Sequence, residues 1–294
     1  MTEAEIADLF VAARKVGRGF PDFPGEVPVT LERAYAIQAA IIAAWPDDVA
    51  GWKVGRIVGG LADTLGCDRF IGPIFRQSIA HPHRHAELVS ASTVQQVLSA
   101  QVEEWMLKQV QHDGGIEFPA IPDGSAVFEA ELIIVTSDDA AAGKTDWTPD
   151  EAAALVGAVH IGVEAAGSPL ATMPELGPLV SIAAFGANNG LIVGPEITDW
   201  QSHVPGDVSC TTTIDGTAIA SAGAAAVPGG PLAAFAFALG ETARQGRPIR
   251  RGDHISTGAI TGMHSVKIGQ WCTADFGRWG RMDCTIAPGK GVTA

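Results

Sequence analysis

The chain has 294 residues, of which 47% are hydrophobic and 18% are charged, so it can bury one large core or two smaller ones. Its formal net charge of −14 argues against nucleic acid or an anionic membrane surface as the main partner, because both select for clustered lysine and arginine. The longest uncharged stretch, residues 216–240, is interrupted by prolines and glycines, which fits a loop and a buried helix better than a membrane span.

Two helices are predicted in the first 45 residues. Thr2 and Glu5 have the spacing of a capping box, and the residues behind them at helical spacing form one apolar face: Ile6, Leu9, Phe10 and Ala13. A proline-rich break, FPDFPGEVP, separates this helix from a second one over TLERAYAIQAAIIAAW. The chain therefore begins with a helical portion.

From about residue 50 the sequence changes to short apolar runs punctuated by glycine and proline, which is typical of strands. VSCTTTI and TAIASA flank Asp215 and Gly216, the commonest signal for a two-residue hairpin turn. A short helix is predicted to start at Thr148, and it leads into the predicted strand AVHIGVEAA. Helices followed by a sheet-rich body favour the α+β class, with a helical portion and the first strands in residues 1–80 and a β-rich catalytic domain in residues 81–294.

Residues 84–115 differ from their surroundings. Apolar side chains recur there at helical spacing, at Val94, Val97, Leu98, Val102 and Trp105, between two strand-like regions that could be joined without them. We predict an inserted helix in this segment. It is either a surface helix with no chemical role, or a lid or intersubunit contact.

The run VFEAELIIV at 127–135 has two glutamates one residue apart in an otherwise apolar strand. Glu129 and Glu131 would point to the same face, where they repel and raise each other's pKa unless a cation or a proton lies between them. Glu164 lies inside the apolar segment AVHIGVEAAG, and a buried glutamate is rarely left unpaired. Three carboxylates from two strands would form an oxygen-rich, half-filled shell suited to Mg²⁺ or Mn²⁺.

Other polar residues admit two interpretations. Lys53, in GWKVGR, either extends to water or neutralises an anion in a cavity. Ser168 and Thr257 could donate hydrogen bonds to a substrate or serve as turn residues. The three histidines of HPHRH could bind a metal, but they have no acidic or cysteine companions at fixed spacing, which favours a solvated loop: His81, His83 and His85.

Five motifs occur in the order seen in a known group of enzymes. They are AYAIQ at 34–38, KVG with Lys53, FEAEL with the first two glutamates, GVEAAGS with the third, and GRPIRRGDHISTGA at 246–259. By these motifs the chain resembles the 2-keto-4-pentenoate hydratases of the fumarylacetoacetate hydrolase superfamily. The resemblance covers nearly the whole chain outside residues 84–115.

The resemblance implies a mixed, β-rich fumarylacetoacetate-hydrolase-like fold and a homo-oligomer. It implies Mg²⁺ or Mn²⁺ held by Glu129, Glu131 and Glu164. It also implies catalytic roles for Lys53 and Asp68, and substrate-binding roles for four further residues: Ser168, Asn188, Thr257 and Gly258.

The chain departs from the hydratase pattern at positions outside the metal shell. Hydratases of this group carry an aspartate just before the glycine that Gly72 matches, whereas this chain has Phe70 and Ile71 there, and Asp68 is displaced. The usual Asp-Asn pair is matched by residues 184–185, Ala-Phe, with Asn188 and Asn189 as polar substitutes, and the usual Ser-Arg is matched by Ser168 and Pro169. Proton transfer and substrate-carboxylate binding are therefore expected to differ from those of the hydratases.

The expected function is that of a metal-dependent lyase on an enolisable 2-oxo acid. The resemblance implies hydration of a 2-hydroxydienoate in the breakdown of aromatic compounds. A decarboxylase or a C–C bond hydrolase of the same superfamily is an alternative, and a catalytically silent metal-binding or assembly protein is an alternative of another class. The acidic start MTEAEIADLF and four cysteines without a CxxC pair predict reduced thiols in a cytoplasmic protein.

Overall fold

The computed structural model of the protein describes residues 1–81 and 115–289. The helix predicted over residues 84–115 lies outside these ranges apart from Gly115, and so do His83 and His85.

The N-terminal helical portion is formed by α1 (Glu3–Val16) and α2 (Leu31–Ala44), which pack against each other. Both begin at the predicted residues. The Thr2 hydroxyl accepts a hydrogen bond from Glu5 N while the Glu5 carboxylate accepts one from Thr2 N, which completes the predicted capping box. Thr30 caps α2 by accepting a hydrogen bond from Arg33 N.

The buried face of α1 differs from the predicted one. Leu9 is 46% exposed, whereas Val11 and Arg14 lie inside. The buried stripe advances four residues at a time from Ile6 through Phe10, and Arg14 is the next position of that series. The helix is thus rotated so that an arginine, rather than a leucine, points into the protein.

The remaining helices within the described residues are short except for the last. They are α3 (Gly60–Leu65), α4 (Pro149–Ala153), α5 (Met173–Leu176), α6 (Pro178–Ala183), α7 (Trp200–His203) and α8 (Gly230–Arg244). None of the helices within the two described ranges combines the length and the apolar character needed to cross a bilayer.

The strands form two sheets. Their bounds are β1 (Val49–Arg56), β2 (Arg69–Phe75), β3 (Ile79–Ala80), β4 (Ile116–Ala120), β5 (Ser125–Thr136), β6 (Val156–Ser168), β7 (Asn188–Glu196), β8 (Ser209–Ile214), β9 (Thr217–Gly223), β10 (His254–Ser256), β11 (His264–Ser265), β12 (Trp271–Asp275) and β13 (Arg281–Pro288). The large sheet has the order β2-β1-β10-β5-β6-β7-β3, with β11 also paired to β5. The small sheet has the order β4-β13-β12-β8-β9.

The sequence signals for strands correspond to real elements. The VFEAELIIV run lies within β5, and AVHIGVEAA lies within β6. Asp215 and Gly216, with φ of 49° and 78°, form the predicted turn between β8 and β9. Mixed sheets preceded by two helices confirm the α+β class.

The predicted division at residue 80 runs through the large sheet rather than between sheets. β1 pairs in parallel with β10, and β3 pairs in parallel with β7, so strands from both sides of the division share backbone hydrogen bonds. One hydrophobic cluster extends through the helices and both sheets, and a smaller one consists of four buried residues: Ile74, Ile133, Leu191 and Val193.

Candidate active site

The three predicted metal ligands lie together on one face of the large sheet. β5 and β6 are antiparallel neighbours in a register that places Glu129 directly opposite Glu164, and Glu131 follows two residues later on the same face. All three side chains are buried, and one carboxylate oxygen from each lies within 4.8 Å of the others. Strand alternation and strand pairing therefore bring the three carboxylates to one point.

The Glu131 carboxylate is held by one of its two oxygens. Its Oε2 accepts hydrogen bonds from the Ser256 hydroxyl and from Gly258 N, the latter at 2.8 Å. Its Oε1 is buried and has no hydrogen-bond partner among the residues that the structure describes. The second oxygen is thus left free while the first fixes the side chain.

In the Glu164 carboxylate, too, one oxygen has partners and the other has none among the described residues. Its Oε1 forms an ion pair with Lys53 Nζ at 3.2 Å and accepts a hydrogen bond from Asn188 Nδ2 at 3.0 Å. Its Oε2 is also buried without a hydrogen-bond partner within residues 1–81 and 115–289. A buried oxygen without a donor is costly, so two such atoms in one site indicate that the cluster binds a cation or a proton.

Lys53 is a buried cation of the site, with a side chain that is 5% exposed. The interpretation that it extends to water is therefore wrong. Burial alone would lower the pKa of the Lys53 ammonium, but the carboxylates of Glu164, Glu129 and Glu131 outweigh burial and raise that pKa. Lys53 therefore stays protonated and neutralises part of the negative charge.

One ammonium cannot balance three carboxylates. Burial raises the pKa of Glu129 to about 7, with Glu164 adding to the rise and Lys53 opposing it. Burial, with repulsion from Glu164 and Glu129, raises the pKa of Glu131 well above its ordinary value. Both shifts favour protonated carboxyl groups when no ion is bound, so binding of a cation would release protons from the site.

These features fit a hard divalent cation. The ligand atoms are all carboxylate oxygens, which Mg²⁺, Mn²⁺ and Ca²⁺ prefer, and ligand oxygens at about 2.0–2.6 Å from an ion lie no more than about 4–5 Å apart. The free oxygens of Glu131 and Glu164, together with Glu129, could hold the ion.

The raised carboxyl pKa values predict a pH dependence of the stability of the metal-free protein. The folded state binds a proton at Glu129 more tightly than the unfolded state does, so this contribution to stability is fully present below pH 4.5 and is lost as the pH rises to about 7. We expect the melting temperature of chelator-treated protein, followed by calorimetry, to fall more steeply over this interval in the wild type than in Glu129→Gln. The comparison with the variant is needed because burial lowers the pKa of His254, and this shift makes the stability of the folded protein rise with pH. Equal slopes in the two proteins would contradict the prediction.

Asn188 enters the site from an unusual turn. Phe185, Gly186 and Ala187 have φ of 61°, 65° and 58°, and such a backbone costs about 1–3 kcal/mol for each residue other than glycine. A Cβ on Gly186 would lie 2.1 Å from the Cα of Gly72, so this turn packs directly on β2. Packing against β2 therefore stabilises this unfavourable turn conformation.

The orientation of the Asn188 amide follows from its hydrogen bonds. Nδ2 donates to Glu164 Oε1 and, at 3.3 Å, to the Gly190 carbonyl oxygen, so Oδ1 faces the other way. Oδ1 is buried and finds no donor in the described part of the chain. Oδ1 is therefore an available acceptor on the same amide that binds Glu164. Asn189 lies elsewhere, since its Nδ2 donates to the Pro119 carbonyl oxygen at 2.8 Å.

Asp68, predicted as a catalytic residue, is not brought to the site. Its side chain is 56% exposed and pairs with Arg69 at 3.4 Å, and its carbonyl oxygen accepts a hydrogen bond from Ile57 N beyond the end of β1. Phe70 lies nearer the chemistry, with its ring centroid 5.7 Å from Lys53 Nζ. An aromatic ring thus lies where the resemblance implies an acid.

The remaining predicted substrate-binding residues have structural partners. Ser168 Oγ accepts a hydrogen bond from Leu170 N at 3.1 Å, and four residues of strand, about 13 Å, separate Ser168 from Glu164. Thr257 Oγ1 donates to the Leu132 carbonyl oxygen at 2.8 Å. Gly258 has φ of 114° and orients Glu131 through its N–H, a position for which glycine is needed.

Two residues of this region escaped sequence reasoning. Ser256 binds Glu131, and its position follows from the register in which β10 pairs with both β1 and β5. Arg14 donates from α1 to the Asn188 carbonyl oxygen. Two features of the sequence could have identified them. Ser256 is a hydroxyl residue two positions before Gly258 in HISTG, and Arg14 follows Phe10 by four residues, which places both on one helix face.

Comparison with known proteins identifies similar solved structures in the fumarylacetoacetate hydrolase superfamily. 4-Oxalocrotonate decarboxylase from Pseudomonas putida G7, complexed with magnesium and adipate, matches with a TM-score of 0.72 and 18% identity over 97% of each chain. Fumarylpyruvate hydrolase from Pseudomonas aeruginosa, in complex with Mn²⁺ and pyruvate, matches with a TM-score of 0.51 and 16% identity over 90% of this chain and 98% of the other. Fumarylacetoacetate hydrolase from Exiguobacterium antarcticum matches with a TM-score of 0.51 and 18% identity over 83% of this chain and 76% of the other.

No family model matches the sequence, and a search of curated proteins gives no significant match. The structural matches confirm the predicted fumarylacetoacetate-hydrolase-like fold, including its helical N-terminal portion.

Proposed function

We propose that the protein is an enzyme that uses Mg²⁺ or Mn²⁺ to act on an enolisable 2-oxo acid. The observation that carries this proposal is the pair of free, buried carboxylate oxygens on Glu131 and Glu164 beside the Lys53 ammonium. Support for the choice of metal comes from proteins of the same fold that bind magnesium or manganese.

The residues of the site have separable tasks. A bound divalent ion would supply Lewis-acid polarisation of a chelated 2-oxo acid. Ser256 and Gly258 fix Glu131, and Asn188 helps to fix Glu164, so that the ligands keep their positions. Lys53 contributes a buried positive charge beside the place where enolate charge develops.

Among the reactions open to such a site, we favour decarboxylation of a 2-oxo-enedioate. In that reaction the bond to the distal carboxylate breaks, CO₂ leaves, and the electron pair passes through the conjugated double bond to the 2-oxo oxygen. The resulting dienolate takes up a proton from solvent at that oxygen and becomes a 2-hydroxydienoate. The step needs no acid at the Asp68 position, which agrees with the exposure of Asp68 and the presence of Phe70 beside Lys53. The similarity to a 4-oxalocrotonate decarboxylase adds support.

Hydration of a 2-hydroxydienoate is the second candidate, because the order of the KVG, FEAEL, GVEAAGS and HISTGA motifs resembles that of the hydratases. Hydration must move a proton to carbon and activate a water molecule, so it requires acid and base groups beyond the enolate-stabilising ones. Asn188 Oδ1, a free acceptor, could orient that water.

A substrate panel tests the proposal. Purified protein is mixed with 2-oxo-enedioates and 2-hydroxydienoates, with Mg²⁺ or with chelator, and ultraviolet absorbance follows the conjugated system while mass spectrometry identifies the product. We expect metal-dependent loss of CO₂ from a 2-oxo-enedioate. Uptake of water would favour the hydratase, whereas binding of metal without turnover of any substrate would favour a catalytically silent protein.

The proposal also includes a homo-oligomeric state, as the motif resemblance implies. Light scattering on purified protein tests it, since a monomer has a mass of 30.4 kDa. A mass at that value would contradict it.

A further inference from the structure

The buried side chain of Arg14 connects the N-terminal helix α1 to the candidate active site. Only 8% of this residue is exposed, and its Nη1 donates a 3.0 Å hydrogen bond to the Asn188 carbonyl oxygen. Asn188 in turn donates through Nδ2 to Glu164 Oε1 at 3.0 Å. A short series of hydrogen bonds therefore runs from α1 to one of the three carboxylates.

The Arg14 guanidinium is enclosed by aromatic rings. Its Cζ lies 4.3 Å from the centroid of Phe185, 5.1 Å from that of Trp45 and 5.9 Å from that of Phe75. Within the described residues no carboxylate forms an ion pair with Arg14. Asp47 favours the charged form of Arg14 only from beyond ion-pair distance, so ring faces and one carbonyl oxygen make the direct contacts with this buried cation.

Two contacts of Arg14 lie at the two ends of the turn that leads into β7. The closest ring belongs to Phe185, and the hydrogen-bonded carbonyl belongs to Asn188, so the guanidinium spans the turn from its first left-handed residue to the residue that enters the site. Phe185 and Ala187 have positive φ, a conformation that needs support from surrounding groups.

We propose that Arg14 is a positioning residue: it clamps the Phe185–Ala187 turn and thereby holds the Asn188 amide on Glu164. This inference rests on the proposed function, in which Glu164 ligates the metal. It assigns the N-terminal helix a direct part in the geometry of the site.

The test compares Arg14→Met, which keeps a long side chain but loses the donor and the charge, with the wild type. Mn²⁺ affinity measured by calorimetry is expected to fall about tenfold, the equivalent of about 1.4 kcal/mol. In metal-free protein, hydrogen exchange of the Ala187 and Asn188 amides, which bond to the carbonyl oxygens of Ala184 and Phe185, is expected to become about tenfold faster. Arg14→Lys, which keeps the charge and a donor, should recover part of both losses.

Two controls separate positioning from general stability. Phe10→Leu weakens the packing of the same helix against the rings of Phe20 and Phe23 and keeps the Arg14 side chain, so it should leave Mn²⁺ affinity and exchange of the two amides near the wild-type values. In an Asn188→Ala background, Arg14→Met should change the affinity little, because residues that act through one another are not additive. Additive effects, unchanged affinity and exchange in Arg14→Met, or equal losses in Phe10→Leu would overturn the inference.

Two further outcomes remain decisive. If Arg14→Met does not fold, Arg14→Gln, which loses the charge and the reach of the guanidinium, replaces it, and an Arg14→Gln protein with wild-type affinity and exchange overturns the inference. If the wild type binds no Mn²⁺, the proposed function fails, while the exchange of the Ala187 and Asn188 amides in metal-free protein still decides whether Arg14 holds the turn.

Discussion

Replacing Glu131 with glutamine is expected to abolish the rise in melting temperature that Mg²⁺ or Mn²⁺ produces in the wild type. A ligand that binds only the folded state stabilises it by about 2.7 kcal/mol at 100 times its Kd, which corresponds to roughly 4–8 °C for a chain of this size. Glu131 contributes one of the free, buried oxygens, and a neutral amide in its place removes one negative charge from the site. Thermal melts with metal and with chelator measure the response.

The same substitution should have a different effect without metal. The pKa of Glu131 is raised by burial and by repulsion from Glu164 and Glu129, so its charged form is unfavourable in the metal-free protein. Glu131→Gln should therefore melt no lower than the wild type in chelator at neutral pH. Glu175→Gln, at an exposed position on α5, is the matched control and should keep the full metal response. An undiminished response in Glu131→Gln would place the ion elsewhere and remove the basis of the proposed function.

The carboxylate cluster could be predicted from the sequence because its geometry depends on short-range rules. Alternation along a strand is enough to put Glu129 and Glu131 on one face, and a single glutamate inside an apolar run marks Glu164 as a buried group that needs a partner. Caps and turns are equally local. The Thr2 capping box and the Asp215-Gly216 hairpin were predictable because each depends on residues within three positions of one another.

Features set by tertiary contacts could not be predicted in this way. The parallel pairing of β1 with β10 joins residues about two hundred positions apart, and this pairing brings Ser256 beside Lys53. The left-handed turn at 185–187 opposes the intrinsic preferences of Phe185 and Ala187, so only its packing maintains it. Asp68 was assigned because it lies close in sequence to the position where the resemblance implies an acid. Its side chain lies beyond the end of the β1–β2 hairpin, where it contacts solvent and Arg69.

Replacing Lys53 with methionine is expected to lower kcat about 10²–10³-fold, since loss of one preorganised electrostatic contact has an effect of that size. Lys53 is the buried cation that pairs with Glu164. Its ammonium group lies beside the carboxylates that would bind the metal ion. Methionine has a similar length and no charge, so the change isolates the positive charge. The measurement is steady-state turnover of the best substrate from the panel at saturating Mg²⁺.

The metal-free Lys53→Met protein should be less stable than the wild type, because the variant leaves the Glu164 carboxylate buried without its cation. Added Mg²⁺ should restore much of that stability by supplying the missing positive charge, so kcat is compared in metal-loaded protein. A loss in kcat with little change in KM would indicate that Lys53 acts on the transition state rather than on substrate binding. Lys144→Met is the matched control, since Lys144 pairs with Glu151 away from the site and its loss should leave kcat unchanged. Wild-type kcat in Lys53→Met would mean that this lysine serves only to neutralise Glu164 in the folded protein, and that enolate charge is stabilised by other groups.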